Sequence, residues 1–179
     1  MDPDQLPALE TDRLRLRAPT AEDVDFIANL YARPEVARFI GDGRTERTRE
    51  QALARIERYR SFAGATTGVW LASCAVDGEP RGIMLLKPIP VSADVDPEPQ
   101  PEIEIGWHLH PDAQGRGYAA EAAEALVEHA RTVGLETLVA VAHPENRASH
   151  RVAERIGMAH RGTTDRYYGT TVELFTLEL

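Results

Sequence analysis

Leu14-Arg15-Leu16-Arg17 alternates apolar and basic positions, the period of a strand with one buried face, until Pro19-Thr20 interrupts it. Thr20 with Asp23 three positions on approximates a capping box. Val24, Ile27 and Leu30-Tyr31 then follow at helical spacing as far as Pro34. A second helix is expected from about Thr48, with Ala52, Ile56, Tyr59 and Ala63 on one face and Gly64 closing it. Residues 69–76 and 82–87 predict two antiparallel strands joined at Asp77-Gly78, a dipeptide that accepts the positive φ of tight hairpin turns.

Five prolines and several acids between residues 88 and 101 predict a mobile, solvent-exposed loop. The next strand, 102–109, puts Ile103, Ile105, Trp107 and Leu109 on one face and Glu102, Glu104, Gly106 and His108 on the other. A glycine-rich turn leads into a helix whose Ala119, Ala122, Ala123, Leu126, Val127 and Ala130 form an apolar stripe, with Gly134 as terminator. A short buried strand at 137–142, a helix at 146–156 closed by Gly157, and two strands around Tyr167-Tyr168-Gly169 complete a single domain spanning 1–179. The pattern is α/β of the mixed α+β kind.

The turn before the alanine-rich helix is where chemistry is expected. Glycines let backbone approach a ligand closely, and the free N–H groups of a helix start attract an anion such as a pyrophosphate. A tight turn before a helix is the plainer reading of Gly115 and Gly117. The nucleotide P-loop and the dinucleotide fingerprint are both absent. Gln114-Gly115-Arg116-Gly117-Tyr118-Ala119 instead resembles the acyl-coenzyme A loop of the GNAT acyltransferases, Gln/Arg-x-x-Gly-x-Gly/Ala. Leu9-Glu10-Thr11-Asp12-Arg13-Leu14, Glu104-Ile105-Gly106-Trp107, Asn146-Arg147-Ala148-Ser149 and Gly157-Met158 are similar to the ribosomal-protein N-acetyltransferase branch.

That resemblance implies a mostly antiparallel, twisted central sheet with helices on both faces and splayed central strands that receive acetyl-coenzyme A. Gln114, Gly115, Arg116, Gly117, Tyr118 and Ala119 would hold the pyrophosphate. Trp107, His108 and Leu109 would pair their backbone with the pantetheine, His108 also being a pocket residue. Asn146 would reach the pantetheine and Ser149 the sulfur, although Asn146 is also an ordinary helix N-cap.

An amine attacks a thioester only when unprotonated, so a proton acceptor is needed near it. Glu104 is the candidate base, with Glu102 on the same face as the fallback. A strand N–H near residues 107–109 would stabilise the developing oxyanion. Many relatives carry a tyrosine acid where this chain has Ala153, leaving Ser149 or water to protonate the thiolate. The acceptor implied is a primary amine, foremost a protein amino terminus, with a small-molecule amine or a non-catalytic acyl-coenzyme A sensor as alternatives. A homodimer is compatible with all three.

Composition narrows the field. Twenty Lys and Arg against 29 Asp and Glu give a formal charge of −9, which disfavours nucleic-acid binding. One cysteine, Cys74, forbids an internal disulfide and a cysteine zinc cluster; it is expected to be a buried strand residue, and no His set suggests a metal. With no signal peptide and no apolar run long enough to span a bilayer, no membrane role is expected and the cytoplasm is the expected location.

Overall fold

The computed structural model describes residues 6–179. Among these residues one sheet holds eight strands in the order β1-β2-β3-β4-β5-β6-β8-β7. They are β1 (Leu9–Glu10), β2 (Leu14–Arg17), β3 (Gly68–Cys74), β4 (Pro80–Pro88), β5 (Ile103–Leu109), β6 (Thr137–Ala142), β7 (Ala159–Thr164) and β8 (Val172–Glu178). Every pairing is antiparallel except β5 with β6, which run parallel and register at one position, Glu104 with Val139. Beyond that position the two central strands part, as expected for splayed strands.

Helices α1 (Val24–Tyr31), α2 (Pro34–Ala37) and α3 (Arg49–Arg60) cover one face. Their Val24, Ile27, Leu30, Ile56 and Tyr59 pack on Val69, Leu71, Ile83 and Leu85. Helices α4 (Tyr118–Thr132) and α5 (Arg147–Arg155) cover the other. There Ala122, Ala123, Leu126, Ala130 and Ala153 meet Leu14, Leu16, Trp70, Met84, Leu86 and Ile105. At roughly 25 cal/mol per Å² of apolar surface removed from water, these two sandwiched layers supply most of the folding drive.

Thr48 caps α3, accepting from the Gln51 amide at 3.2 Å while the Gln51 side chain accepts from the Thr48 amide at 3.0 Å. The Thr20–Asp23 box is present but opens a short 3₁₀ turn before α1. The structure departs from expectation at other boundaries. Pro34 starts α2 at its first turn, where the missing N–H costs nothing. Helix α3 stops at Arg60, so Ala63 lies in the following turn. The β3–β4 connection is a five-residue turn over 75–79, not a two-residue one, because Asp77 Oδ1 accepts from the Glu79 amide and the Cys74 amide pairs with the Glu79 carbonyl. Cys74 is accordingly a half-buried strand end rather than a core residue.

Residues 89–92 are docked, against the expectation of a mobile loop. Buried Ser92 donates to the Asp165 carbonyl at 2.6 Å and accepts from the Gly169 amide at 3.0 Å, and its own amide meets the Arg166 carbonyl at 2.8 Å. Ile89 packs with Val139, Tyr167 and Val172. No helix among the described residues is long and apolar enough to cross a membrane.

Candidate active site

A continuous cleft of about 1430 Å³ runs from the C-terminal half of α3, across β5, to the start of α4 and the first turns of α5. It takes in Glu104, Trp107, His108, Leu109, Gln114, Gly115, Gly117, Tyr118, Ala119, Asn146 and Ser149. Arg116 is exposed and does not line it; the Arg116 carbonyl instead accepts from Arg13 Nη1 at 3.0 Å. Glu102 is outside the cleft too. Its Oε2 accepts from the Tyr167 hydroxyl at 2.6 Å and lies 3.5 Å from Arg166 Nε. Burial and this carboxylate push the Tyr167 hydroxyl up to about 12.

Gly115 and Gly117 have φ of +72° and +80°, a region that L side chains enter at a cost of roughly 1–2 kcal/mol. Gly117 is the N-cap of α4, so the first amides of that helix open towards the cleft without a side-chain cap. The turn is braced from behind. Glu121, in the first turn of α4, accepts from Thr11 Oγ1 at 2.5 Å, the Arg13 amide at 2.9 Å and Arg13 Nε at 2.7 Å. Burial opposes the charge on Glu121, but these bonds win and hold its carboxyl below the usual range. Arg13 also lies over the Tyr118 ring at 4.7 Å. The Thr11-Asp12-Arg13 segment thus has a physical role that spacing alone did not disclose.

At the splay, Glu104 is 6% exposed. Lys87, its cross-strand partner on β4, places Nζ 2.7 Å from Glu104 Oε2, and the Tyr168 hydroxyl donates to the same oxygen. Lys87 also meets the Tyr168 hydroxyl at 2.8 Å. All three contacts leave Oε1 outside the cluster. Burial and the Glu104 charge raise the Tyr168 hydroxyl far above its ordinary value, so it stays a donor. Tyr168 adopts φ +60°, in the left-handed region, and its amide donates to the Pro90 carbonyl at 3.2 Å. A strained non-glycine residue beside a buried carboxylate is the kind of outlier found at functional sites.

Next along β5, His108 Nδ1 lies 2.8 Å from the Tyr31 hydroxyl, which lies 2.5 Å from that of Tyr59. Arg55 joins them, donating to Tyr59 at 3.1 Å, stacking on the Tyr31 ring at 3.9 Å and gripping Glu46 with two nitrogens. Burial, then the charges of Arg55, Lys87 and Arg58, lower His108 to about 3, so the imidazole is neutral at physiological pH. This network and Lys87–Tyr168 were missed from sequence, where Tyr59 counted as helix face and Lys87 as a strand end.

Asn146 Oδ1 accepts from the Ser149 amide at 3.2 Å, the N-cap arrangement, while both residues line the cleft. The Gln114 side chain donates to the Leu109 carbonyl at 3.2 Å, tying the loop to the end of β5. Among the described residues, β5 has no strand partner on its β6 side beyond Glu104. No cluster of three His, Cys, Asp or Glu among the described residues could hold a metal.

A sheet opened between two parallel strands, with a glycine-capped helix facing the gap, is the architecture of an acyltransferase domain. Residues 13–159 match the Acetyltransferase (GNAT) domain, and the chain belongs to that family and is an N-acetyltransferase. The uncharacterized N-acetyltransferase YnaD of Bacillus subtilis is 43% identical over 58 residues, a match covering 32% of this chain and 34% of that one. The FsC-acetyl coenzyme A-N(2)-transacetylase of Aspergillus fumigatus is 28% identical over 92% of this chain and 70% of its own. Among solved structures, an acetyltransferase from Agrobacterium tumefaciens superposes with a TM-score of 0.76 at 29% identity, covering 98% of this chain and 96% of that one. Two others share the fold at lower identity and contain coenzyme A. The ribosomal L7/L12 alpha-N-protein acetyltransferase RimL has a TM-score of 0.77 at 18%, covering 97% and 98%, and the AAC(6')-Ib complex with ribostamycin 0.73 at 20%, covering 93% and 94%.

Proposed function

We propose that this chain transfers the acetyl group of acetyl-coenzyme A to the amino terminus of a protein. The observation that carries this reading is Glu104: a buried carboxylate at the last β5–β6 pairing, lining the cleft, with Oε1 left over by Lys87 and Tyr168. A proton acceptor beside the splay is what amine acylation requires.

The residues present fit a coenzyme A thioester. The uncapped amides at Tyr118 and Ala119 and the open side of Gly115, where a Cβ would meet nothing within 4 Å, suit a pyrophosphate. The unpaired edge of β5 at 107–109 suits an extended pantetheine, held as an added strand is held. When bound, the thioester supplies an activated acyl group.

Glu104 Oε1 takes a proton from the attacking amine, directly or through water. Lys87, Arg55 and Arg58 lie on the same side, so an ammonium entering there meets like charge, which favours its neutral form. Backbone N–H at 107–109 would face the developing oxyanion. The Ser149 hydroxyl or water returns a proton to the thiolate. In support of a protein acceptor, RimL is a protein acetyltransferase of this fold. The test is free-thiol release from acetyl-coenzyme A with separate peptide and small-amine panels. Turnover confined to small amines would refute the protein acceptor.

A further inference from the structure

We infer that the acceptor carries a carboxylate close to its reacting amine, as an acidic amino-terminal segment does, and that Arg58 recognises it. This rests on the acetyltransferase reading of the cleft and concerns its acceptor half alone.

Although the chain bears −9 overall, its charge is inverted at this end of the cleft. Three cations meet there: Arg55, Arg58 and Lys87. Two of the three are engaged by carboxylates, Arg55 by Glu46 and Lys87 by Glu104. No carboxylate among the described residues pairs with Arg58, so one positive charge is left over. Arg58 lies in the last turn of α3, where a basic side chain ordinarily does no more than answer the helix dipole. Here it also lines the cleft, and its charge acts on two groups of the site, lowering His108 and opposing the rise of Tyr168. Phe62 and Tyr168, which flank Lys87 at 5.7 and 5.4 Å, line the same cleft beside it.

A polycationic amine would meet a surplus positive charge here. A free carboxylate would find an unpaired guanidinium, which binds it through charge-assisted and often bidentate hydrogen bonds. A carboxylate one or two residues from an amino terminus delivers that charge while the amine extends towards Glu104.

The experiment compares matched short peptides differing only by aspartate or asparagine at the second position, with spermidine as a polycation and free aspartate as a small carboxylate-bearing amine. The readout is kcat/KM for thiol release. The aspartate peptide should exceed its asparagine twin at least about tenfold. The ratio should fall to near one in Arg58→Gln and reverse in Arg58→Glu. Arg58 is exposed, so both variants should fold. Free aspartate turning over as well as the peptide would still support anion recognition while refuting the protein acceptor. Equal rates for the peptide pair in the wild type, or spermidine as the better acceptor, would overturn the inference and leave the acetyltransferase standing. No thiol release with any amine would bring down both.

Discussion

At the scale of single residues, the functional load falls on two neighbours along β5 that the structure treats oppositely. Glu104 accepts hydrogen bonds from Lys87 and the Tyr168 hydroxyl, whereas His108 is held neutral by burial and three cations. Glu104→Gln should therefore lower kcat by about 10²–10⁴-fold with little change in the KM for acetyl-coenzyme A. Glu102→Gln, outside the cleft, should stay near the wild type in the same steady-state assay; the opposite ranking would exchange their roles. His108 carries a pH prediction whose sign follows from its depressed native value. Between about 6.5 and about 3 the unfolded chain binds a proton that native His108 refuses. Stability is thus lost as pH falls through that window. His108→Gln should flatten the fall in urea midpoint between pH 7 and 4, and parallel curves for the two proteins would contradict it. Asp23, which Arg17 and the Thr20 amide hold low against burial, loses its contribution only below its unfolded value of 3.8 and does not confuse the measurement.

At the scale of elements, the site is held by turns more than by the helices and strands they join. Gly117→Ala would force a side chain into φ +80° at the start of α4, costing about 1–2 kcal/mol. For a chain of 179 residues that lowers the melting temperature by about 2–8 °C. It should also raise the KM for acetyl-coenzyme A more than it lowers kcat, because the displaced amides are those proposed to bind phosphate. Such positions were legible because periodicity and glycine placement are local: β5, α4, β6 and α5 lie within a residue or so of where the sequence put them. What escaped was long-range. Tyr168 reaches Glu104 across 64 positions, and Thr11 reaches Glu121 across 110. The Lys87–Glu104 pair depends on β4–β5 register, which a proline-rich connection does not reveal. That connection also misled, since prolines report a loop but not the Ser92 bonds that fasten it beneath Tyr168.

At the scale of the whole molecule, the sheet is two antiparallel blocks, β1–β5 and β6-β8-β7, whose central strands register at Glu104 and Val139 only. Further linkage across the sheet comes from α4 against α5 and from the 89–92 segment against 165–169. A ligand laid along the free edge of β5 would therefore join both blocks as well as fill a groove. Anything that binds the native state alone stabilises it by RT ln(1 + [L]/Kd), about 2.7 kcal/mol at a hundredfold excess over Kd. For a domain of this size that is a rise of roughly 5–10 °C in melting temperature. Acetyl-coenzyme A at that excess should produce such a shift. In hydrogen exchange it should slow the amides of residues 107–109 and 118–119 while leaving β1 and β7, at the outer edges, unchanged. A comparable thermal shift with protection spread evenly over the sheet would mean that the ligand stabilises the fold without lying in the gap, and the placement along β5 would have to be given up.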